Sequence, residues 1–293
     1  MYARSSRPPF GGLSAGAIVA DRYRVASQKG TTGGSAVYSA THLGLGRNVT
    51  LELLLRDGPK ARRRFERAAR RLAMLRHPNV VLVHDSGVHE GRPFVVFQDL
   101  SGTTLADRSL VRGPMPLEEV RGLAEQLLSV LGYLHSRKVV HQDVSAENIA
   151  LGTAWDGRES IQLTQFGHSS DLGSASSSVS SGEQQAVVRS LTHIAPEQIL
   201  APEEVDARTD LYAAGAVLYR LLAGVPPFEA GTFAELGGAI IEGQPMALEA
   251  HAPDLPLDVC RVVHQALEKK PAHRFESAGA MWTAFANACG RLP

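Results

Sequence analysis

The sequence predicts an α+β chain in two parts, a small β-rich part with one main helix followed by a larger, mostly helical part. Three observations predict it. Between Tyr23 and Leu55, β-branched, aromatic and alternating apolar residues (Val37, Tyr38, Val49, Leu51, Leu53) are separated by Gly-rich turns, the pattern of paired strands. Over residues 61–76 the period changes: Phe65, Ala68, Ala69, Leu72 and Leu75 recur at three and four, with arginines on the other face. Beyond Ser101-Gly102, long apolar stretches at helical spacing dominate.

Residues 1–18 are rich in Ser, Pro and Gly and predict a flexible leader. The strands of residues 23–55 follow, and His77-Pro78 is expected to end the helix of 61–76. Two more strands are expected around residues 80–85 and 92–99. Leu117, Val120, Leu123, Ala124, Leu127, Leu128, Leu131 and Leu134 mark a long, largely buried helix. A loop and two short strands cover roughly residues 139–164. Residues 169–185 are polar and Ser-rich and predict a mobile surface segment. Helices resume at about residue 208 and continue to the end. The boundaries are therefore a leader at 1–18, a first part at 19–99 and a second at 100–293, with 19–293 forming one domain.

Composition excludes several functions. Lys+Arg and Asp+Glu balance at 30 each, so bulk charge draws neither nucleic acid nor a membrane. No apolar run approaches the ~18 residues of a membrane span. Arg4 and Arg7 are followed by no long apolar stretch, so no signal peptide is expected and the cytoplasm is the expected location. Cys260 and Cys289 lie in apolar helical contexts and read as buried thiols, too few for a disulfide framework or zinc site. The only lysines are Lys29, Lys60, Lys138, Lys269 and Lys270, which leaves few positions for a phosphate-binding lysine.

Residues 139–148, Val-Val-His-Gln-Asp-Val-Ser-Ala-Glu-Asn, follow the long helix. They resemble the catalytic loop H-R-D-x-K-x-x-N of protein kinases, with its Asp and Asn five apart. Gln165-Phe166-Gly167 falls where the family has D-F-G, and Ala195-Pro196-Glu197 is its A-P-E motif. Asp206 to Tyr212, Gly215 and Pro226-Pro227-Phe228 resemble the central helix of the second part and the turn after it, and Arg274 follows in order. The order holds over about residues 22–288. The chain is thereby identified as similar to the bacterial branch of eukaryotic-type Ser/Thr protein kinases, and Leu75-Arg76-His77-Pro78-Asn79-Val80-Val81 has the same texture. The resemblance implies a bilobal kinase-like fold with a small β-rich N-lobe and a larger α-helical C-lobe. It also implies structural roles. Asp210 holds the backbone around His141, Phe166 and His141 stack with Leu72 and Val83 as a spine, and Glu197 pairs with Arg274.

Phosphoryl transfer rests on positioning and charge neutralisation. The position of the Gly-rich loop reads Gly30-Thr31-Thr32-Gly33-Gly34-Ser35, with the first glycine kept and the others displaced. Glycines there let backbone N–H groups approach phosphates, and a plain flexible hairpin is the alternative. Where the family's third strand carries the phosphate-binding lysine stands Glu52, and that lysine's glutamate partner aligns with Ala68. The D-F-G aspartate, a metal ligand, is Gln165, the loop lysine is Ser145, and the arginine before the loop aspartate is Gln142. Asp143 and Asn148 remain as catalytic remnants, with a loop-stabilising role as the alternative for Asp143. Lys29 lies at the mouth of the loop. Arg64 and Arg71 flank Ala68 by about one turn, so Glu52 is expected to pair with one of them, inverting the family's Lys–Glu bridge. The adenine pocket implied by the family comprises Val37, Thr50 and Ala150, with Phe97 as gatekeeper and Gln98-Asp99-Leu100 as hinge.

Two kinds of function follow. A non-catalytic, pseudokinase-type domain needs no cofactor and binds another protein, an active kinase or its substrate. The arginine-rich helix (Arg62, Arg63, Arg64, Arg67, Arg70, Arg71) and the Ser-rich segment are then the candidate surfaces, and phosphorylation of that segment is a further expectation. The enzyme alternative is a divergent, low-activity Ser/Thr kinase using ATP, Asp143 and Asn148. A nucleotide sensor that works without metal is the third reading.

Overall fold

The computed structural model describes residues 12–32, 34–99, 102–154, 157–164 and 191–290. The chain divides into two compact units that meet in sequence at Gly102 and Thr103.

Unit 1 is an antiparallel six-stranded sheet and one main helix. Strands β1 (Ile18–Val19), β2 (Tyr23–Thr32), β3 (Ser35–His42), β4 (Arg47–Leu54), β5 (Val83–His89) and β6 (Arg92–Gln98) stand in the order β1-β2-β3-β4-β6-β5. Val49, Leu51 and Leu53 of β4 point into the same core as Tyr23, Val25, Tyr38 and Phe94, as period-two alternation requires. The expected strand near 80–85 begins later, at Val83, because the tight Glu90-Gly91 turn pairs His89 with Arg92 and sets the register.

Helix α1 (Pro59–Ala73) buries Phe65, Ala69 and Leu72 and ends before His77-Pro78, where Arg76 donates to the carbonyls of Ala73 and Leu75. Residues 12–18 are not a leader. The Leu13 N–H donates to the Tyr38 hydroxyl at 2.9 Å, and Gly16 and Ala17 hydrogen-bond to Val25. Leu13 and Ala17 also pack on the core. Residues 1–11 lie outside the described part.

Unit 2 is built on α3 (Leu117–Ser136) and α5 (Ala207–Ala223), with α2 (Leu105–Arg112) before them, a hairpin of β7 (Ile149–Thr153) and β8 (Glu159–Leu163), and α4 (Pro196–Leu200). Helices α6 (Phe233–Ile241), α7 (Leu248–His251), α8 (Leu257–Ala266) and α9 (Ala278–Cys289) follow. Helix α5 is apolar on nearly every side because it is buried on nearly every side. A Cβ on Gly215 would sit 2.6 Å from Ala266 Cβ, so glycine sets how closely α5 approaches α8. Cys260 and Cys289 are buried free thiols, as expected, and burial pushes the Cys289 thiol up to about 11. Among the described residues no helix is long and apolar enough to cross a membrane.

Candidate functional site

The loop after α3 is held by one buried carboxylate. Asp210, fully buried on α5, accepts the His141 N–H and His135 Nε2 through Oδ2, both at 2.8 Å, and the Gln142 N–H through Oδ1 at 2.8 Å. The Asp143 N–H donates to His141 Nδ1, so the imidazole proton sits on Nε2, which donates to the Thr164 carbonyl at 3.0 Å. Gln142 adopts φ +67°, a left-handed conformation costly for a side-chain-bearing residue. It is fixed there because its N–H reaches Asp210 and its carbonyl accepts the Gln198 amide at 2.9 Å.

Downstream, Ser145 caps a short 3-10 turn (Ala146–Asn148) by accepting the Asn148 N–H. The Asn148 amide donates to the Asp143 carbonyl at 2.9 Å. Asp143 and Asn148 are thus locked to each other, with the half-buried Asp143 carboxylate on a preorganised loop. Such an arrangement can orient a hydroxyl and accept its proton. Position 145, the family's loop lysine, is here a buried serine serving as a cap.

Glu197 and Arg274 form a two-pronged pair, Nη1–Oε1 at 2.6 Å and Nη2–Oε2 at 2.8 Å. Thr209 donates a further 2.7 Å bond to Oε1. Burial opposes charge on Glu197, but Arg274 and Thr209 override it and hold the carboxyl below the usual range. Arg274 spends its remaining donors on the carbonyls of Arg208, Glu268 and Lys269 and stacks on Tyr212.

In unit 1, β2 and β3 pair up to Thr32–Ser35, and Gly34 lies in the turn between them. Gly34 has φ +87°, and an added Cβ would lie 3.0 Å from Arg56 Cβ. Its carbonyl accepts the N–H groups of Leu55 and Arg56, both at 2.9 Å, which ties the hairpin tip to the end of β4. Gly34, one of the displaced glycines, therefore serves a pinned hairpin turn. Gly30 pairs with Val37, and a Cβ there would meet nothing within 4 Å, so no crowding demands a glycine.

Glu52 lies mid-strand in β4 between Val37 and Val95, on the face opposite Leu51 and Leu53, and is 6% exposed. Thr50 shares that face and is buried, as is Phe97 beside it in the ladder. Gln98 accepts the Leu82 N–H through its side chain. Ala68 is half-buried on α1, and Arg64 and Arg71 are exposed there. Leu72 is buried and Val83 half-buried in unit 1, while Ala150 is buried on β7 of unit 2. Lys29 is exposed on β2. Gly33, Leu100, Gln165, Phe166 and the Ser-rich stretch 169–185 lie outside the described residues.

A model of the protein kinase domain family matches residues 23–285. The chain belongs to the protein kinase domain family. PknJ of Mycobacterium tuberculosis is 34% identical over 274 residues, covering 91% of this chain and 45% of its own length. PknB of Mycobacterium leprae is 29% identical over 270 residues, 90% of this chain and 42% of its own. PrkC of Bacillus subtilis is 28% identical over 269 residues, 91% and 40%. All three are named serine/threonine-protein kinases, and the chain spans less than half the length of each. A solved structure of Rad53 in complex with AMP-PNP superposes with a TM-score of 0.70 over 88% of this chain and 64% of that one, at 18% identity. It supports the kinase fold.

The kinase domain also contains a cluster that sequence reasoning missed. Glu147, next to Asn148, bonds Arg220 of α5 at 2.8 Å. Burial opposes its charge, but His193 and Arg220 override that and hold its carboxyl low. Burial pushes the His193 imidazole down to about 4, so it is neutral at pH 7 and Arg220 carries the effect there. Beside them opens a cavity of about 580 Å³ lined by Ser109, Leu110, Thr192, Arg220, Phe228 and Glu229. Glu147 and Arg220 stand 73 positions apart, so no local pattern joins them.

Proposed function

We propose that this kinase domain is a non-catalytic member of its family, a pseudokinase that works in cytoplasmic phosphorylation signalling by binding another protein, an active kinase or its substrate. One observation carries the proposal: the strand position where the family keeps its phosphate-binding lysine holds a buried glutamate, Glu52. At ~4 Å and an effective dielectric of ~20, one charge pair is worth about 4 kcal/mol. Replacing attraction by repulsion is a swing of up to about twice that, whereas about 2 kcal/mol already weakens binding thirty-fold. ATP–Mg²⁺ in the family's manner does not fit these residues. Gln165 offers a neutral amide where a hard cation favours a carboxylate, Ser145 is a loop cap, and Ala68 and Gln142 carry no charge. Within this reading Glu52 is reassigned to an ion pair with Arg64, an inversion of the family's bridge; Arg71, the other arginine expected from the sequence, is exposed and makes no ion pair among the described residues. Arg64→Gln tests it: if that variant changes stability no more than Arg71→Gln does, the inversion is wrong.

A second reading, a low-activity Ser/Thr kinase, is favoured by the intact Asp143–Asn148 loop and by the names of the relatives. There Asp143 accepts the proton of the substrate hydroxyl. A third, a nucleotide sensor without metal, would use Gly30, Gly33, Val37, Thr50, Phe97, Gln98, Leu100 and Ala150. Thermal unfolding with ATP, with and without Mg²⁺ or Mn²⁺, separates the three, because a ligand of the native state must stabilise it. No shift is expected. A metal-dependent shift with phosphate transfer abolished by Asp143→Asn would establish the kinase, and a metal-independent shift would establish the sensor.

A further inference from the structure

Helix α1 carries several of its cations where an isolated helix is least able to hold them, while Arg70 and Arg71 sit favourably in its last turn. Its first turn has no acidic residue, Gly58 supplies no side-chain cap, and Lys60, Arg62 and Arg63 stand at the positive end of the helix dipole. Glu66 is the helix's only acidic residue, and Arg62 at 2.9 Å and Arg70 at 3.5 Å already engage it. Opposite the buried face of Phe65, Ala69 and Leu72 lie Arg63, Arg67 and Arg71, all exposed. They make no hydrogen bond or ion pair among the described residues. Spaced by four, they form a straight row with steps of about 6 Å. Like charges at this spacing repel and destabilise the helix that carries them.

We propose that the row Arg63–Arg67–Arg71 docks an acidic α-helix of a partner protein whose Glu or Asp residues recur every fourth position. Carboxylates at that spacing repeat at the same about 6 Å, so each guanidinium fork meets one carboxylate along the whole row. Arginine suits such two-pronged pairing better than lysine does. A lipid surface fits less well, since Phe65, Ala69 and Leu72 of α1 are buried in unit 1 and Met74, exposed at the helix's end, is a single apolar side chain rather than an apolar face to insert. Nucleic acid fits poorly too, because the chain's net charge is 0 and no aromatic residue of α1 flanks the row for stacking. The inference names the partner chemistry of the protein-binding reading and rests on it.

The test is equilibrium binding of the full chain to a helix-stapled peptide with glutamates at every fourth position. The comparison ligands are the same composition with glutamates spread around the helix, an extended phosphoserine peptide, a short single-stranded oligonucleotide, and vesicles containing phosphatidylglycerol. The expected result is binding at least about tenfold tighter for the striped helix than for any other ligand, weakening as salt rises. Arg63→Gln/Arg67→Gln/Arg71→Gln should lose about tenfold or more while its melting temperature stays level or rises, since the repulsion is gone. Arg24→Gln, an exposed arginine on β2, should bind like the parent. Equal binding of the spread peptide, undiminished binding by the triple variant, or tighter binding to phosphopeptide, oligonucleotide or vesicle overturns the proposal. Melting with ATP–Mg²⁺ in the same samples keeps the two claims apart. A metal-dependent shift with phosphate transfer sinks the non-catalytic reading and leaves the row standing, and failed peptide binding alone sinks the docking row.

Discussion

Arg274→Met cuts a buried, two-pronged ionic contact of unit 2. Glu197 would keep the Thr209 hydroxyl and its own backbone N–H, and the carbonyls of Arg208, Glu268 and Lys269 would lose the Arg274 donor. The Arg274 side chain is 0% exposed and that of Glu197 10%, so water reaches the orphaned carboxylate poorly. Removing one partner of such a pair costs about 3–5 kcal/mol. In a unit of this size that is a fall in melting temperature of roughly 6–20 °C. Glu197→Leu/Arg274→Met removes both charges and should recover at least half of the loss, measured by guanidinium unfolding and calorimetry in one double-mutant cycle. The pH dependence has a definite sign. In the parent the Glu197 carboxyl is held low, so its contribution is complete above the unfolded value of about 4.3 and fades as pH falls through the folded value. In Arg274→Met the carboxyl rises instead, so protonation relieves the buried charge and the gap between variant and parent narrows in acid. A loss under about 1 kcal/mol, or a double variant as unstable as the sum of the singles, would refute the reasoning.

Asp210→Ala strands three donors, from His141, Gln142 and His135, at about 1–3 kcal/mol each. Hydrogen exchange should show lost protection over residues 139–148 first, and unchanged protection there would contradict the role given to Asp210. His193 is pushed from 6.5 down to about 4, so the unfolded chain binds the extra proton between those values and stability falls as pH drops through that window. The loss should reach about 3 kcal/mol, and His193→Phe should flatten the slope; an equal slope in the variant would count against it. Gly34→Ala places a side chain at φ +87° against Arg56 and should cost about 1–3 kcal/mol while freeing the hairpin tip, read as faster exchange of the Leu55 and Arg56 amides. Unchanged exchange would show that the tip is not pinned there.

Periodic features were legible. Helix α3 announces itself because Val120, Leu123, Ala124, Leu127, Leu131 and Leu134 repeat at helical spacing, and the structure buries them. Helix α2 does not, since Leu110 and Val111 are exposed and its clearest sign is the Thr104–Asp107 capping box. Residues 12–18 read as a leader because Ser and Gly dominate, while what holds them is backbone hydrogen bonding that composition does not record. At the site, replacements such as Glu52 and Ser145 are visible as single letters, but the capping job of Ser145 appears only in three dimensions. Hydrogen-bond partners far apart in sequence, Gln198 with Gln142 or Arg220 with Glu147, leave no local trace.

In the proposed reading this kinase domain keeps the family's frame while the charges meant for nucleotide phosphates are reversed or gone. Titration calorimetry of ATP with Mg²⁺ tests it most directly, on the parent beside Glu52→Lys/Ala68→Glu/Gln165→Asp. No measurable binding to the parent is expected at millimolar nucleotide, weaker than about −4 kcal/mol, with metal-dependent binding at least about thirty-fold tighter in the triple variant. Metal-dependent binding of the parent in the micromolar range, unimproved by the triple change, would contradict it.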